Sequence, residues 1–187
     1  IDFALEAGAD YIILDGRGGG TGAAPLLFRD HISVPTIPAL ARARAHLDNR
    51  QADGVTLIIT GGLRMPADFI KALALGADAV ALGTGVMVAM GCVVCLRCHE
   101  GKCAFGIGTQ DPERRKKLDI EAAAQRVANY IQGMTCEATL LAKAAGKTAL
   151  ANMEREDLRA MTLEACAMTG IPLVGSNYTF GEAFGFF

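Results

Sequence analysis

Two stretches of this chain read almost alike, and their shared pattern limits what it can fold into. Residues 4–16 are ALEAGADYIILDG and residues 72–84 are ALALGADAVALGT. Each is the end of a helix, a Gly-Ala-Asp turn, an apolar run of strand length and a glycine-bearing loop. Gly8 and Gly76 suit the left-handed residue that closes a helix. The runs 11–14 and 79–82 are continuously apolar, as strands covered on both faces are. A third unit lies between them: a helix over 38–49, a buried strand over 55–59, the pair Gly61-Gly62, and a helix over 66–75. Pro66 fits the first turn of that helix, where its missing N–H costs no bond. Alternating helix and strand means parallel strands joined by crossover helices. Such an α/β layout belongs to an open sheet or to a barrel. At 187 residues the chain is short of the roughly 250 of a complete (β/α)8 barrel, but it fits the C-terminal portion of one. It begins at Ile1, inside what reads as a helix over 1–7. A preceding N-terminal portion is therefore expected, and any targeting signal would lie there.

Beyond the third unit the pattern changes. Residues 111–117 form a charged connector opened by Asp-Pro. Residues 118–145 read as one long helix, with Ile120, Ala124, Val127, Ile131, Met134, Ala138, Leu141 and Ala145 at three- and four-residue steps. Gly133 is a candidate bend. A second helix is expected over 155–168, stopped by Gly170-Ile171-Pro172. The Gly- and Phe-rich tail over 176–187 is assigned no structure. The division that follows is a barrel part over 1–110 and a helical extension over 111–187. With 51% hydrophobic and 20% charged residues and a net charge of −2, the composition is globular and points away from nucleic acid and anionic membranes. The uncharged stretch 79–96 is long enough to cross a bilayer. Its strand-like start, glycine-rich middle and cysteine-bearing end argue against a span.

The loops after the strands are the first candidate site. Residues 15–25 read DGRGGGTGAAP. Gly18, Gly19 and Gly20 let backbone N–H groups turn toward an anion or lie flat against a planar ring. Thr21 adds a hydroxyl, and Asp15 and Arg17 stand at the C-terminal mouth of a strand, where barrels and open sheets bind ligands. Gly61-Gly62 and Gly83-Thr84-Gly85 follow the next two strands. Each alone reads as a turn. On consecutive strands they resemble a phosphate grip.

The second candidate is a run of cysteines, MGCVVCLRCHEGKCAFGIGTQ over 90–110. Its spacing is Cys92-x2-Cys95-x2-Cys98-x4-Cys103. A disulfide framework spreads its cysteines along a small secreted chain. Crowded thiolates favour a soft metal in a reducing, cytoplasmic compartment. An iron–sulfur cluster fits the single compact run; zinc more often takes two separated pairs. His99 is expected at the surface or behind the ligands. Cys136 and Cys166 are expected to be buried small hydrophobes.

The combination GGGTGAAP, ITGG, GADAVALGT and MGCVVCLRCHEGKCAFGIGTQDPERRKK resembles the FMN-binding synthase domain of glutamate synthases, over about residues 8–117. The tail MEREDLRAMTLEACAMTGIPLVG is similar to the archaeal-type, single-domain branch. The resemblance implies a (β/α)8 barrel carrying FMN and an iron–sulfur cluster. It implies reduction of 2-iminoglutarate, formed from 2-oxoglutarate and ammonia, to L-glutamate. It implies ammonia from a glutamine amidotransferase domain or subunit, and electrons from ferredoxin or NAD(P)H. The family's three-iron ligand pattern falls on Cys92, Cys98 and Cys103. Cys95 is an addition that would support a four-iron cluster, and Ala104 stands where the family often has proline. The flavin loops fall on residues 18–21, Gly61-Gly62 and Gly83-Thr84.

Three other readings are compatible with parts of the pattern. One is an N-methylglutamate synthase subunit using methylamine. Another is a different FMN barrel oxidoreductase, which the cysteine block argues against. The third is a non-catalytic iron–sulfur electron-transfer fragment. The early strands that carry many flavin and substrate contacts are absent from the sequence, so this chain alone is expected to be inactive.

Overall fold

The computed structural model describes residues 1–19 and 24–179. Gly20, Thr21 and the end of the tail lie outside the described residues. In chain order the elements are α1 (Asp2–Glu6), β1 (Tyr11–Asp15), α2 (Leu26–His31), α3 (Thr36–Asn49), β2 (Thr56–Thr60), α4 (Pro66–Ala74), β3 (Ala79–Val80) and α5 (Thr84–Met90). After the cysteines come α6 (Pro112–Arg115), α7 (Ile120–Ala144) and α8 (Leu163–Thr169). Short 3-10 turns stand at Cys98–Glu100, Leu150–Asn152 and Arg155–Asp157.

The three strands form one parallel sheet in sequence order, with Ile13 beside Ile58 and Ile58 beside Ala79. The repeated Gly-Ala-Asp turn has a visible job. Gly8 and Gly76 are left-handed, at φ 74° and 97°. The carboxylate of Asp78 accepts the Leu57 N–H at 2.7 Å, while the Asp78 N–H returns to Leu57 O. The turn thus locks β3 beside β2.

One face of the sheet is covered. Leu57 and Ile59 point into it and pack with Leu40 and Leu47 of α3, Ala72 of α4, and Cys166 and Ile171 from the C-terminal region. Among the described residues nothing covers the other face. Tyr11 and Ile13 are 60% and 56% exposed, whereas Ile12 and Leu14 pack on the core. The sequence led us to expect burial on both sides. Three strands cannot curl into a closed barrel, so the apolar inward face of this arc stays bare.

A second, smaller core joins α4 to α7, with Ile70 and Ala74 against Ala138, Ala142 and Met153. Asp119 caps α7 by accepting the Ala122 N–H. The helix runs through Gly133 as one element. Its buried face is Ala123, Met134, Ala138 and Ala142, while Ile120, Ile131 and Leu141 stay exposed. Cys136 is exposed rather than buried, since it projects about 200° around the helix from Met134. The helix expected over 155–168 is also corrected. Residues 158–161 are not helical, and Ala160 forms an isolated bridge with Leu173, its N–H donating to Pro172 O and its carbonyl accepting from Val174 N–H. Thr162 then caps the shorter α8 by accepting from Ala165 N–H. Tertiary bonding to the 171–174 segment outweighed helix propensity there.

Among the described residues no helix is long and apolar enough to cross a membrane.

Candidate functional site

Each strand ends in a glycine loop, and the three loops meet. Gly18, Gly19, Gly62, Gly83 and Thr84 line one recess of about 30 Å³ at the strand ends. On the scale where one water needs about 10–15 Å³, this is room for about two or three waters. Gly61, although adjacent, is not part of that lining. It is left-handed at φ 120° and packed from behind. A Cβ there would lie 2.5 Å from Thr36 Oγ1 and 2.7 Å from Gly16 O. At Gly16 a Cβ would meet Thr36 Cα at 2.4 Å. Gly83 is different. Among the described residues a Cβ there would meet no atom within 4 Å, so packing against them does not explain its glycine.

Thr36 is a functional residue the sequence reading missed. It opens α3, is buried, and donates its hydroxyl proton to Gly61 O at 2.6 Å, with Arg17 O as the farther acceptor at 3.2 Å. It therefore ties the loop after β1 to the loop after β2. Its only sequence signal is a hydroxyl residue directly after Pro35. Thr36→Val removes the donor and leaves buried carbonyls unpaired. We expect it to cost about 1–3 kcal/mol, read as a melting temperature several degrees lower, with Thr36→Ser near wild type. Equal melting of Thr36→Val and wild type would dismiss the latch.

Asp15 ends β1, and its carboxylate lies over Gly19, where a Cβ would stand 1.7 Å from Oδ1. It faces a second cavity of about 420 Å³ with Arg17, Gly18, Phe28 and Arg29.

The cysteine segment wraps a third cavity, of about 690 Å³. Cys92, Cys95, Cys98 and Cys103 all line it, and so do Gly18 and Thr84. The cysteines and the strand-end loops thus share one space. Its charged lining is mostly basic: Arg17, Arg29, Arg64, Arg97, Lys102 and Arg114 against Asp30 and Glu100. The Arg97–Glu100 pair, at 2.7 Å, raises the guanidinium's pKa and lowers the carboxyl's. Such a lining suits an anionic occupant.

The loop geometry favours a thiolate at Cys103. The N–H of Gly108 foremost, with those of Phe105, Ile107 and Gly106, holds the Cys103 thiol below its ordinary range, against a smaller opposing effect of burial. Gly108 stands between two cysteines: a Cβ on it would lie 3.5 Å from Cys98 Sγ and 4.0 Å from Cys103 Cβ. Cys92 Sγ accepts the Val94 N–H at 3.4 Å. Val94 and Leu96, on either side of Cys95, are left-handed at φ 52° and 60°. That conformation costs side-chain-bearing residues about 1–3 kcal/mol each and gathers at functional sites. Among the described residues no three His, Cys, Asp or Glu side chains are grouped as around a single metal ion. His99 is exposed and outside the cavity lining.

The GIGTQDPERR segment is the loop's scaffold. Buried Thr109 donates to Gly101 O and accepts the Asp111 N–H. Asp111 caps α6, and Arg114 of that helix donates to Lys102 O at 3.0 Å. Gly106, at φ 77°, has Arg114 O where a Cβ would stand, at 2.5 Å.

Comparison with known proteins agrees with this layout. Residues 1–148 match the model of a family described as the conserved region in glutamate synthase. An archaeal glutamate synthase [NADPH] of Methanocaldococcus jannaschii is 47% identical over 158 residues, covering 83% of this chain and 31% of that protein. A glutamate synthase large subunit-like protein of Rhizobium meliloti is 43% identical over 196 residues, covering 96% and 44%. The chain therefore spans less than half the length of these relatives. Among solved structures, the flavin-binding domain of baker's yeast flavocytochrome b2 superposes with a TM-score of 0.60 at 22% identity, over 88% of this chain and 33% of that one. That likeness concerns the fold, the C-terminal portion of a (β/α)8 barrel followed by the cysteine loop and C-terminal helices.

Proposed function

Because the chain belongs to the glutamate synthase family, we propose that it is the C-terminal part of an FMN-binding synthase domain that also carries an iron–sulfur cluster. Residues 1–110 supply the barrel part and the cluster loop; residues 111–187 brace it as a helical extension. The observation that carries this reading is the shared cavity, where four cysteines and the strand-end residues Gly18 and Thr84 face one another. A redox cofactor in each place would lie within short reach of the other.

The residues fit both groups. The recess formed by Gly18, Gly19, Gly62, Gly83 and Thr84 lies at the strand ends, and glycine loops there are the kind whose backbone N–H groups hold phosphate. Glycine at 83, unexplained by packing against the described residues, allows a ligand to approach the backbone closely. Asp15, Gly61, Gly20 and Thr21 complete the proposed flavin side, Gly61 by shaping the loop. On the cluster side, Cys92, Cys98 and Cys103 are the proposed ligands, with Cys95 a fourth if the cluster has four irons. Backbone N–H groups on Cys103 favour the thiolate, the ligating form. When bound, FMN supplies hydride transfer and the cluster supplies one-electron relay. The chain's own part is to hold the two groups in register and to surround them with cationic side chains.

The reaction we propose for the whole protein is reductive amination of 2-oxoglutarate, through 2-iminoglutarate, to L-glutamate. The nitrogen would come from glutamine through an amidotransferase domain or subunit. The electrons would come from NADPH, which the relatives' names carry, or from ferredoxin. A cytoplasmic setting keeps such thiolates reduced. The deciding experiment is anaerobic purification of the full-length natural protein, with flavin, iron and sulfide analysis and EPR. We expect FMN together with iron and acid-labile sulfide. Iron-free protein, or zinc in its place, would overturn the cluster assignment.

A further inference from the structure

The last four carbonyls of a helix find no partner in the helix's own ladder. At the end of α5 these belong to Met87, Val88, Ala89 and Met90. Gly91 is left-handed at φ 113°. Its N–H reaches Val88 O at 2.9 Å, and the N–H of Cys92 reaches Met87 O at 2.9 Å, the paired closure common at helix ends. Arg126 of α7 takes the other two. Its Nε donates to Ala89 O at 3.1 Å and its Nη2 to Met90 O at 2.8 Å. One guanidinium from a distant helix therefore completes the closure in which the first cysteine is held by its own backbone. A cation is also favoured at this end of a helix.

Four residues further along α7, on the same face, Tyr130 makes a second tie. Its hydroxyl donates to Arg64 O at 3.0 Å, two residues beyond Gly62. It sits so close to α5 that a Cβ on Gly85 would lie 2.7 Å from its oxygen. Burial foremost, with Asp68 nearby, pushes its phenol pKa up, so the donor stays protonated.

We infer that Arg126 and Tyr130 are positioning residues, which use one face of α7 as a strut between the start of the cysteine loop and the loop after β2. The strut fixes Cys92 relative to Gly61-Gly62. On the proposed function, it fixes a cluster ligand relative to the flavin's phosphate loops. Neither residue touches a reacting group. Both act through backbone carbonyls.

The test uses the full-length natural protein and its Arg126→Met, Arg126→Lys and Tyr130→Phe variants, with Gln125→Ala, on the exposed side of α7, as control. Two readouts are taken: amide hydrogen exchange in metal-free protein, and the rate of iron release to a chelator from the holoprotein. Losing a helix cap is worth about a fivefold change in local opening. Arg126→Met should therefore speed exchange at Gly91 and Cys92 about fivefold or more, with iron release faster in step. Arg126→Lys, which keeps the charge but not the forked donor, should fall between. Tyr130→Phe should speed exchange at 61–65 and leave Cys92 unchanged. Wild-type exchange at Gly91 and Cys92 in Arg126→Met overturns the strut. If Arg126→Met does not fold, wild-type exchange in Arg126→Lys overturns it equally. Wild-type protein isolated without iron would sink the cluster assignment alone, because the exchange readout needs no metal.

Discussion

Alanine at Gly61 should cost about 3–5 kcal/mol, combining strain at a left-handed residue with overpacking of a closed site. In a domain stable by about 5–15 kcal/mol, that removes about a third to a half of a mid-range stability and nearly all of one at the low end. The reason lies in what stands behind the residue. Two of the nearest atoms to a Cβ at this position are backbone atoms of Gly16, and the third is the Thr36 hydroxyl that holds Gly61 O. None is the free end of a flexible side chain, so nothing can swing aside. Gly62 is the natural contrast. It too is left-handed, at φ 78°, but a Cβ there would be 3.7 Å from its nearest neighbour, an ordinary contact. Gly62→Ala should therefore cost only about 1 kcal/mol, from strain, yet still weaken phosphate binding because the side chain would crowd the recess. Thermal melting separates the two, and flavin retention on gel filtration measures the second effect. Equal melting of the two variants would refute the packing account.

Serine at Cys92, Cys98 or Cys103 should each remove the proposed cluster. Changes merely behind a metal ligand cost about 10–100-fold in affinity, so loss of a ligand should exceed that, and iron should fall to background after anaerobic purification. Cys103→Ser should also be the least forgiving, because the N–H groups of residues 105–108 converge on that sulfur and a neutral hydroxyl answers them poorly. Cys95→Ser is the informative variant. Cys95 is exposed and sits between the left-handed residues Val94 and Leu96. We expect it to keep iron and the EPR signature of a three-iron cluster. Loss of iron in Cys95→Ser would make it a ligand and the native cluster a four-iron one. Retention of iron by Cys98→Ser would remove Cys98 from the ligand set.

Much of this architecture was legible because local chemistry and tertiary demand agree. The Gly-Ala-Asp turns announce helix ends, and both glycines are left-handed where a side chain would strain the chain. The apolar runs between them form strands in one parallel sheet. Crowding of four cysteines announces one shared location, since residues a few positions apart cannot be far apart in space. Where the pattern misled, a distant segment had intervened. The run over 155–168 has helical propensity, but bonding of Ala160 to the 171–174 segment keeps 158–161 out of a helix. Cys136 stands on a helix whose buried face is lined by alanines, and periodicity alone does not say which flank of a broad apolar stripe will be covered. Helix α5, with Gly85 and two valines in seven residues, has little propensity of its own, and its end is completed by Arg126 from 36 residues away.

What the sequence determined by itself was the order of elements, the positions of the glycine loops and the identity of the thiols, because turn chemistry and short spacings are local. The tertiary structure alone decided that the three loops close on one recess, that the cysteines face Gly18 and Thr84 across one cavity, and that Thr36, Arg126 and Tyr130 hold the parts in register. Those three side chains act on carbonyls between 19 and 66 residues away in the chain. A hydrogen bond to a backbone carbonyl leaves no mark on the residue that accepts it, so no pattern in the sequence could have paired them.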